Sequence, residues 1–328
     1  MTKPLKRVAV VDADLRMDEI LVIKLGALGD LFLALDSIQA IRAHHPGSKI
    51  TLLTRKPFTG LAQAMPWFDE VWADPVPKLW QVPAWWAFAR RLRRPGFARV
   101  YDLQGNDRAQ FYRRLGGWAR RQGGPWVAGS LTQRGVDRAR LSAMPVVERH
   151  RQMLSAAGVQ SAGPADLSWL DAPLTGIELP ARFVVLVPGC APTRLYKRWA
   201  PDAYAALARD LASRGMGVVV VGTGAEEKAI AEVCAGAPEA VNLCGRTTIA
   251  QLGALARRAV GVVGNDTGPV HITAAVGAPT LVLMCGRSDP VRMKPHGPDV
   301  ACLQSECLAD LTPQAVMAAL RLRGEAVA

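Results

Sequence analysis

The sequence predicts an α/β protein with two consecutive domains, each built on a parallel β-sheet, and a cleft between them. Short apolar segments alternate with amphipathic helical segments, which is typical of strands buried on both faces of a parallel sheet. This alternating series occurs twice along the chain. A stretch rich in Gly, Pro, Ser and Asp at residues 158–180 separates the two series and is the expected linker.

The first series predicts an N-terminal Rossmann-like domain over residues 1–165. Its first helix places Leu31, Leu35, Ile38 and Ile41 on one face at helical spacing. The predicted strands of this domain lie at residues 20–24, 49–54, 70–73 and 99–103. Its predicted helices lie at residues 31–44, 60–65 and 83–92.

The second series predicts a C-terminal Rossmann-like domain over residues 166–328. A chain of 328 residues is long for one core and sufficient for two domains of about 150 residues each. The predicted strands lie at residues 183–187, 217–221, 241–243, 260–263 and 280–284. The predicted helices lie at residues 201–214, 225–234, 249–258, 270–276 and 313–323.

The composition is that of a globular protein, since 50% of the residues are hydrophobic and 21% are charged. The six cysteines are scattered without the spacing of a metal site, which predicts free thiols in a reducing compartment. No apolar run reaches the roughly 18–20 residues that span a bilayer. Charged residues interrupt the N-terminus where a secretory signal would be apolar. We therefore expect a cytoplasmic protein.

The net charge of +12 is unevenly distributed. Residues 84–151 contain fifteen arginines and four carboxylates. Such a basic region attracts anionic partners, namely nucleic acid, an anionic lipid surface, or a phosphorylated or carboxylated substrate. A solvated arginine-rich surface without a partner is the alternative. Trp80, Trp85, Trp86 and Trp118 could form a membrane-surface patch, but burial in the core is the favoured interpretation.

Ligands of parallel α/β sheets bind beyond the carboxyl ends of the strands, so the loops at that edge predict function. Residues 264–271 have the sequence Gly-Asn-Asp-Thr-Gly-Pro-Val-His and join a strand to a helix. Asp266 or Thr267 can cap that helix, Gly268 permits close backbone approach, and His271 lies in its first turn. The free N–H groups and the positive dipole end of the helix predict an anion site.

Two further loops of the second series carry charge. The loop at residues 188–199 contains Thr193 and three basic residues, including Lys197, which suit the neutralisation of a diphosphate. The loop at residues 222–227 places Glu226 at the start of a helix. Its carboxylate could accept hydrogen bonds from ribose hydroxyls or complement the helix dipole.

The loop at residues 24–30 opens the first domain and lacks the G-x-G-x-x-G pattern of dinucleotide-binding proteins. Asp30 stands at the start of the first helix, where it can cap the helix or take a proton from an acceptor hydroxyl as a general base. The chain has no P-loop, and a D-x-D pair occurs only at residues 12–14, in the N-terminal extension. We therefore expect basic side chains and helix ends, rather than a metal, to meet diphosphate charge.

Five segments spread over nearly the whole chain resemble the ADP-heptose:lipopolysaccharide heptosyltransferases, glycosyltransferase family 9. They are ILVIKLGALGDLFLALDSIQAIRAHHPGSKITLLT, YDLQGNDR, KRWAPDAYAALARDL, VGNDTGPVHITAAVGAPTLVLMCGRSDPVRMKP and ECLADLTPQAVMAAL. The resemblance implies a GT-B fold with an N-terminal acceptor domain and a C-terminal donor domain. It also implies a final helix, here at about residues 313–323, that packs back on the first domain.

The resemblance implies inverting transfer of heptose from ADP-heptose to the inner core of lipopolysaccharide, a Kdo/heptose acceptor. No cofactor and no essential metal are expected. The implied partners are a nucleotide-sugar donor and an anionic lipopolysaccharide core acceptor, and nucleic acid is not among them. The basic region is compatible with peripheral contact at the inner membrane face.

The resemblance also assigns roles by position. Asp30 matches the catalytic base, Lys197 matches the lysine that holds the donor phosphates, and Glu226 matches the acidic residue near the adenosine ribose. Further positions assigned to the donor are Thr193, Asp266, Thr267, Gly268 and His271. Arg108, after the segment YDLQG, aligns with a basic position that faces the acceptor.

Two alternatives remain open at this point. Transfer of another nucleotide-activated sugar to a different surface glycan would use the same features. An NAD-dependent oxidoreductase would also fit two Rossmann-like domains, but the absence of the G-x-G-x-x-G turn argues against it.

Overall fold

The computed structural model describes residues 18–78, 80–120, 125–128 and 143–324. The D-x-D pair at residues 12–14 and the part of the basic region at residues 129–142 lie outside the described residues. The described residues form two parallel sheets, one in each half of the chain. In this part of the chain, none of the helices combines the length and apolar character needed to cross a bilayer.

The first domain contains a five-stranded parallel sheet. Its strands are β1 (Glu19–Ile23), β2 (Lys49–Thr54), β3 (Glu70–Ala73), β4 (Arg99–Asp102) and β5 (Trp126–Ala128). Their order across the sheet is β3-β2-β1-β4-β5. The helices are α1 (Leu28–Phe32), α2 (Leu35–His44), α3 (Thr59–Gln63), α4 (Val82–Arg93), α5 (Asp107–Leu115) and α6 (Val146–Ala156).

The second domain contains a six-stranded parallel sheet. Its strands are β6 (Phe183–Val187), β7 (Gly217–Gly222), β8 (Val241–Cys244), β9 (Gly261–Asn265), β10 (Thr280–Cys285) and β11 (Val300–Ser305). Their order is β11-β10-β9-β6-β7-β8. The helices are α7 (Pro201–Ser213), α8 (Glu227–Gly236), α9 (Ile249–Arg258), α10 (Gly268–Ala275), α11 (Pro290–Met293) and α12 (Pro313–Ala319).

Both faces of each sheet are covered, as the uninterrupted apolar strands predict. In β1, Ile20 and Val22 point to one apolar cluster, while Leu21 and Ile23 point to another on the opposite face. The first of these clusters continues into the second domain, where it includes residues of β6 and α10. We call this continuous cluster the shared core, and it joins the two domains.

The predicted helix at residues 31–44 is divided in the structure into α1 and α2. The N–H of Ala34 donates to the carbonyl of Leu31 at 3.0 Å, a three-residue spacing that tightens the turn between the helices. As a result, Asp30 lies on a short helix of its own at the start of the domain. Strands β5 and β11 were not predicted.

The closing helix differs from the expectation of packing against the first domain. Helix α12 packs against α7 and β11, which both belong to the second domain. Val316 on this helix is fully buried in the apolar cluster on the outer face of the second sheet. The chain then runs beside β9, where the N–H of Arg323 donates to the carbonyl of Val260 at 2.7 Å. Through residue 324, the closing segment stays in the second domain.

Candidate functional site

Two of the predicted loops meet where the domains join. Helix α1 begins within the predicted loop at residues 24–30, and it packs against α10, which follows β9. Glycine at the contact makes this approach possible. A Cβ atom on Gly29 would lie 2.7 Å from Cδ2 of His271, and a Cβ atom on Gly268 would lie 3.0 Å from Cβ of Leu28. Asp30 and the start of α10 therefore face the same junction.

Asp30 is half-buried in the first turn of α1. Its Oδ2 accepts a hydrogen bond of 3.1 Å from the N–H of Ala27, so the carboxylate caps the helix. Gly26 leaves room for this carboxylate, because a side chain there would overlap it. Oδ1 of Asp30 accepts none of the hydrogen bonds found among the described residues. The two roles predicted for Asp30 are thus compatible, since one oxygen caps the helix and the other has no hydrogen-bond donor among the described residues.

Asp266 holds Lys197 at the start of α10. Oδ2 of the buried Asp266 carboxylate accepts from Nζ of Lys197 at 2.5 Å and from Oγ of Ser288 at 2.8 Å. Lys197 ends the 3₁₀ turn Pro192–Lys197, and its side chain is 14% exposed. An ammonium group has three donors, so two remain for a ligand. The structure therefore brings together two residues that the sequence assigned to the donor.

Asn265 locks these loops in place. Its fully buried side chain accepts hydrogen bonds at Oδ1 from the N–H of Trp199 and the hydroxyl of Tyr204, each at 3.1 Å. Its Nδ2 donates to the carbonyls of Pro188 at 2.8 Å and Gly189 at 3.2 Å. The end of β9 is thereby tied to both ends of the loop at residues 188–199. Sequence analysis missed this residue, because nothing in its local pattern distinguishes it.

His271 is a neutral imidazole between the two candidate carboxylates. Burial lowers its pKa to about 4, and the carboxylates of Asp266 and Asp30 offset part of that effect. Its Nδ1 is buried and has no hydrogen-bond partner within the described ranges. Because buried polar atoms are normally paired, this atom is a candidate for contact with a ligand.

Glu226 lies at the same sheet edge and caps the helical segment that leads into α8. Its Oε2 accepts from the N–H of Thr223 at 2.7 Å and from the hydroxyl of Thr223 at 2.5 Å. Its carboxylate also lies against Gly189, where a Cβ atom would come within 2.9 Å of Oε1. Thr193 is exposed on the 3₁₀ turn that precedes Lys197. Ligand contacts by Glu226 and Thr193 stay predictions.

Arg108 is committed to an internal ion pair. Its Nε lies 2.8 Å from Oδ2 of the buried Asp74, and its Nη2 donates to Oδ1 of Asp74 at 2.9 Å. Nε also donates to the hydroxyl of Tyr112 at 2.7 Å. These contacts give Arg108 a structural role in the first turn of α5. The acceptor role implied by the resemblance stays a prediction.

Two buried ionisable groups of the first domain, Lys24 and Asp102, attract each other, and Lys24 is also attracted by Asp30. Nζ of Lys24 donates to the carbonyl of Leu103 at 3.0 Å. Burial lowers the pKa of Lys24 to about 8, although the carboxylate of Asp30 counteracts it. Burial raises the pKa of Asp102 to about 6, although the N–H groups of Gly105 and Gln104 counteract it. Strongly shifted ionisable groups are frequent at functional sites, and sequence analysis did not single out these two.

Two arginines approach the junction from opposite domains. Arg149 on α6 and Arg292 on α11 are close enough for their charges to repel, and Arg149 is attracted by Asp30 and Asp102. Neither arginine forms an ion pair with another residue that the structure describes. Nε of Arg292 is buried without a hydrogen-bond partner among those residues. The two arginines thus place like charges next to each other, and because 143 positions separate them in the sequence, no local pattern reveals the pair.

The described residues contain no group of three or more His, Cys, Asp or Glu side chains arranged to hold a metal ion. The predicted independence of metals and cofactors stays a prediction. The six cysteines are free thiols, as the sequence predicted.

Comparison with known proteins confirms the resemblance. The family model "Glycosyltransferase family 9 (heptosyltransferase)" matches residues 85–319. Lipooligosaccharide heptosyltransferase 2 of Haemophilus influenzae is 35% identical over 99 residues, which cover 29% of this chain and 28% of that protein. The alignment with this curated relative thus spans less than a third of its length.

The fold matches solved structures over most of the chain. The E. coli heptosyltransferase WaaC with ADP has a TM-score of 0.71 at 20% identity, with 92% of this chain and 98% of that chain covered. The E. coli ADP-heptose lipopolysaccharide heptosyltransferase II has a TM-score of 0.68 at 21% identity, with coverage of 92% and 96%. These matches confirm the predicted GT-B fold. With the family model matching well over half of its residues, the chain belongs to glycosyltransferase family 9, the heptosyltransferase family.

Proposed function

We propose that this protein transfers heptose from ADP-heptose to the inner core of lipopolysaccharide, with inversion at the anomeric carbon and without an essential metal. One observation carries the proposal: Asp30 of the first domain faces the start of α10, where Asp266 holds Lys197. Family membership supports the reaction class. The names of the relatives, and the solved heptosyltransferase with ADP, support heptose and ADP as the parts of the donor.

The proposed reaction is a direct displacement. Asp30 accepts the proton of an acceptor hydroxyl while that oxygen forms a bond to the anomeric carbon. The bond from the anomeric carbon to the phosphate oxygen breaks, and ADP leaves with the bonding electrons. The ammonium of Lys197 and the N–H groups of Thr267 and Gly268 bind the charge on ADP. Pro269 offers no N–H, so these donors lie at the very start of α10.

The acceptor side of the proposal rests on charge. Arg149 and Arg292 form no ion pairs among the described residues. Arg149 is close enough to Asp30, where the acceptor hydroxyl would be deprotonated, to be attracted by its carboxylate. An anionic sugar core with carboxylate or phosphate groups would neutralise both guanidinium groups. Free cysteines are consistent with a reducing compartment. We therefore place the reaction in the cytoplasm.

Asp30→Asn tests the proposed base, because it keeps the shape of the side chain and removes its basicity. General-base catalysis contributes roughly 10²–10⁴-fold, so kcat should fall by about that factor while the KM for the donor changes little. Asp107→Asn is the matched control, since Asp107 is an exposed first-turn carboxylate of α5 at the same sheet edge. Near-normal turnover of Asp30→Asn would exclude Asp30 as the base.

The donor is tested by thermal denaturation with ADP, UDP, GDP and NAD, followed by assays of diphosphate release from the corresponding sugars. A ligand at 100 times its Kd stabilises the native state by about 2.7 kcal/mol. ADP should therefore raise Tm the most, and ADP-heptose should release ADP only with an acceptor present. If the protein prefers another nucleotide sugar, that sugar is the donor in place of ADP-heptose. If it prefers NAD, the proposal of glycosyl transfer is wrong.

A further inference from the structure

Helix α4 and Trp80, two residues before it, present large apolar side chains to solvent. Trp80 is 73% exposed, Val82 is 66% exposed and Trp86 is 62% exposed. Arg90 and Arg93 continue the exposed face of the helix toward its C-terminal end. These five residues are called the α4 surface.

The α4 surface is separate from the side of the helix that belongs to the core. Phe88 and Leu92 are buried in the apolar cluster on the outer face of the first sheet. Val82, Trp86 and Arg90 follow one another at four-residue spacing, which places them in one line along the exposed side. Sequence analysis favoured burial of the tryptophans in the core over a surface patch. That prediction is wrong for Trp80 and Trp86, which lie on the surface.

The sequence segment that contains the α4 surface carries only positive charge, although Arg91 on the same helix is paired with Glu70 of β3. Residues 75–101 contain six cations and no carboxylate. The guanidinium of Arg90 lies 4.7 Å from the ring centroid of Trp86, and the ammonium of Lys78 lies 5.2 Å from that of Trp80. Arg90 and Arg93 form no ion pair with any other residue in the described ranges. Exposed indole rings beside unneutralised cations are the combination that binds the interface of an anionic bilayer.

The position of the α4 surface suits such a partner. Trp80 and the start of α4 follow β3, so they lie toward the carboxyl edge of the first sheet. Asp30 follows β1 at the same edge. A bilayer held by Trp80 and Trp86 would lie beside the edge where the proposed acceptor enters. This step alone rests on the proposed function, because the exposure and charge of the surface do not depend on it.

We propose that the α4 surface binds phospholipid bilayers with anionic headgroups. The indole rings of Trp80 and Trp86 enter the interfacial region, as amphipathic aromatic side chains do. Arg90 and Arg93 bind headgroup phosphates while their aliphatic stems cover apolar surface. The protein is thereby held at the bilayer face without a segment that crosses it.

The test is co-sedimentation of the full-length protein with vesicles of phosphatidylcholine alone, or of equal parts phosphatidylcholine and phosphatidylglycerol. Each cation near an anionic surface contributes roughly a fivefold factor in partition, so Arg90→Gln with Arg93→Gln should weaken binding about 25-fold. Trp80→Ala with Trp86→Ala should weaken it at least about tenfold. The binding of the wild-type protein should require the anionic lipid and decrease as salt is added.

Lys228→Gln with Arg258→Gln is the charge-matched control, since it removes two exposed cations from helices of the second domain. This control should bind vesicles within about twofold of wild type. Equal losses in control and test variants would mean that only net charge matters, and would overturn the proposal. Vesicle binding unchanged by the tryptophan substitutions would overturn it too.

Gel filtration separates the lipid surface from an interface between copies of the chain. A wild-type dimer that Trp80→Ala with Trp86→Ala converts to monomer, without any vesicle binding, would assign the surface to a second copy instead. The vesicle assay contains neither donor nor acceptor, so it is independent of the sugar-transfer experiments. A folded state of each variant is checked by its far-UV circular dichroism.

Discussion

Gly29→Ala tests whether close packing between α1 and α10 holds the two domains in register. Inside a helix, alanine is ordinarily more stable than glycine by roughly 0.5–1 kcal/mol. At this position the added Cβ would lie 2.7 Å from Cδ2 and 2.8 Å from Nε2 of His271. The His271 ring is 4% exposed, so it has little space in which to move. Such overpacking typically costs about 1–3 kcal/mol.

The expected net effect of Gly29→Ala is therefore a loss centred on about 1 kcal/mol in the free energy of unfolding. Gly60→Ala is the matched control, because Gly60 lies in α3 and an added Cβ would meet nothing within 4 Å. That control should gain up to about 1 kcal/mol. The same chemical change is thus expected to have opposite signs at the two positions.

Equilibrium denaturation by urea measures both effects. A double variant, Gly29→Ala with His271→Ala, should recover part of the loss, because removal of the ring removes the overlap. The coupling in that cycle should be at least about 0.5 kcal/mol. If Gly29→Ala is as stabilising as Gly60→Ala, then Gly29 and His271 are not in close contact. In that case their packing does not fix the distance between Asp30 and α10.

Two further predictions concern charge. Nε2 of His296 lies 2.9 Å from Oδ2 of Asp36 in the other domain. This hydrogen bond raises the pKa of His296. The stabilisation that the Asp36–His296 pair gives to the folded protein is therefore complete below the unfolded pKa of about 6.5, and it is lost as pH rises through the folded pKa. The loss in the free energy of unfolding should be under about 1 kcal/mol because the imidazole is 45% exposed. Denaturation at several pH values should show this loss in the wild-type protein but not in Asp36→Asn. Asp266→Asn should cost about 1–3 kcal/mol, because Lys197 loses a buried partner. Asp210→Asn, at an exposed pair, should cost under about 1 kcal/mol, and equal costs in denaturation would contradict the buried role of Asp266.

Much of the fold was predictable because strands buried on both faces leave a strong signal. The segment at residues 183–187 is apolar throughout, the segment at residues 280–284 is apolar except for Thr280, and both form interior strands of the second sheet. Strand β5 was missed because it has only three residues. Strand β11 was missed because it ends in polar residues and is only partly buried. Short edge strands are fixed by pairing with a neighbour, which local sequence does not report.

The candidate site was predictable where its residues are close together in sequence. Asp266 and His271 fall in one loop and one helical turn, so chain geometry alone brings them to one place. Arg149 and Arg292 come from different domains, and only the packing of those domains makes them neighbours. Arg108 shows that the position of a residue in the sequence can also suggest a role that its contacts do not support. Its position suggested a ligand contact, but the sequence did not reveal that Asp74 would bind it.

The shared core has a consequence for how substrates reach the site. One apolar cluster includes residues of β1 and α2 in the first domain and of β6 and α10 in the second. Moving the domains apart would wet this surface, at about 25 cal/mol for each Å² exposed. The sheets are thus expected to keep their relative orientation throughout turnover. Donor and acceptor would then enter through displacement of the loops around Lys197 and Arg292, with the spacing between the two halves of the site preserved.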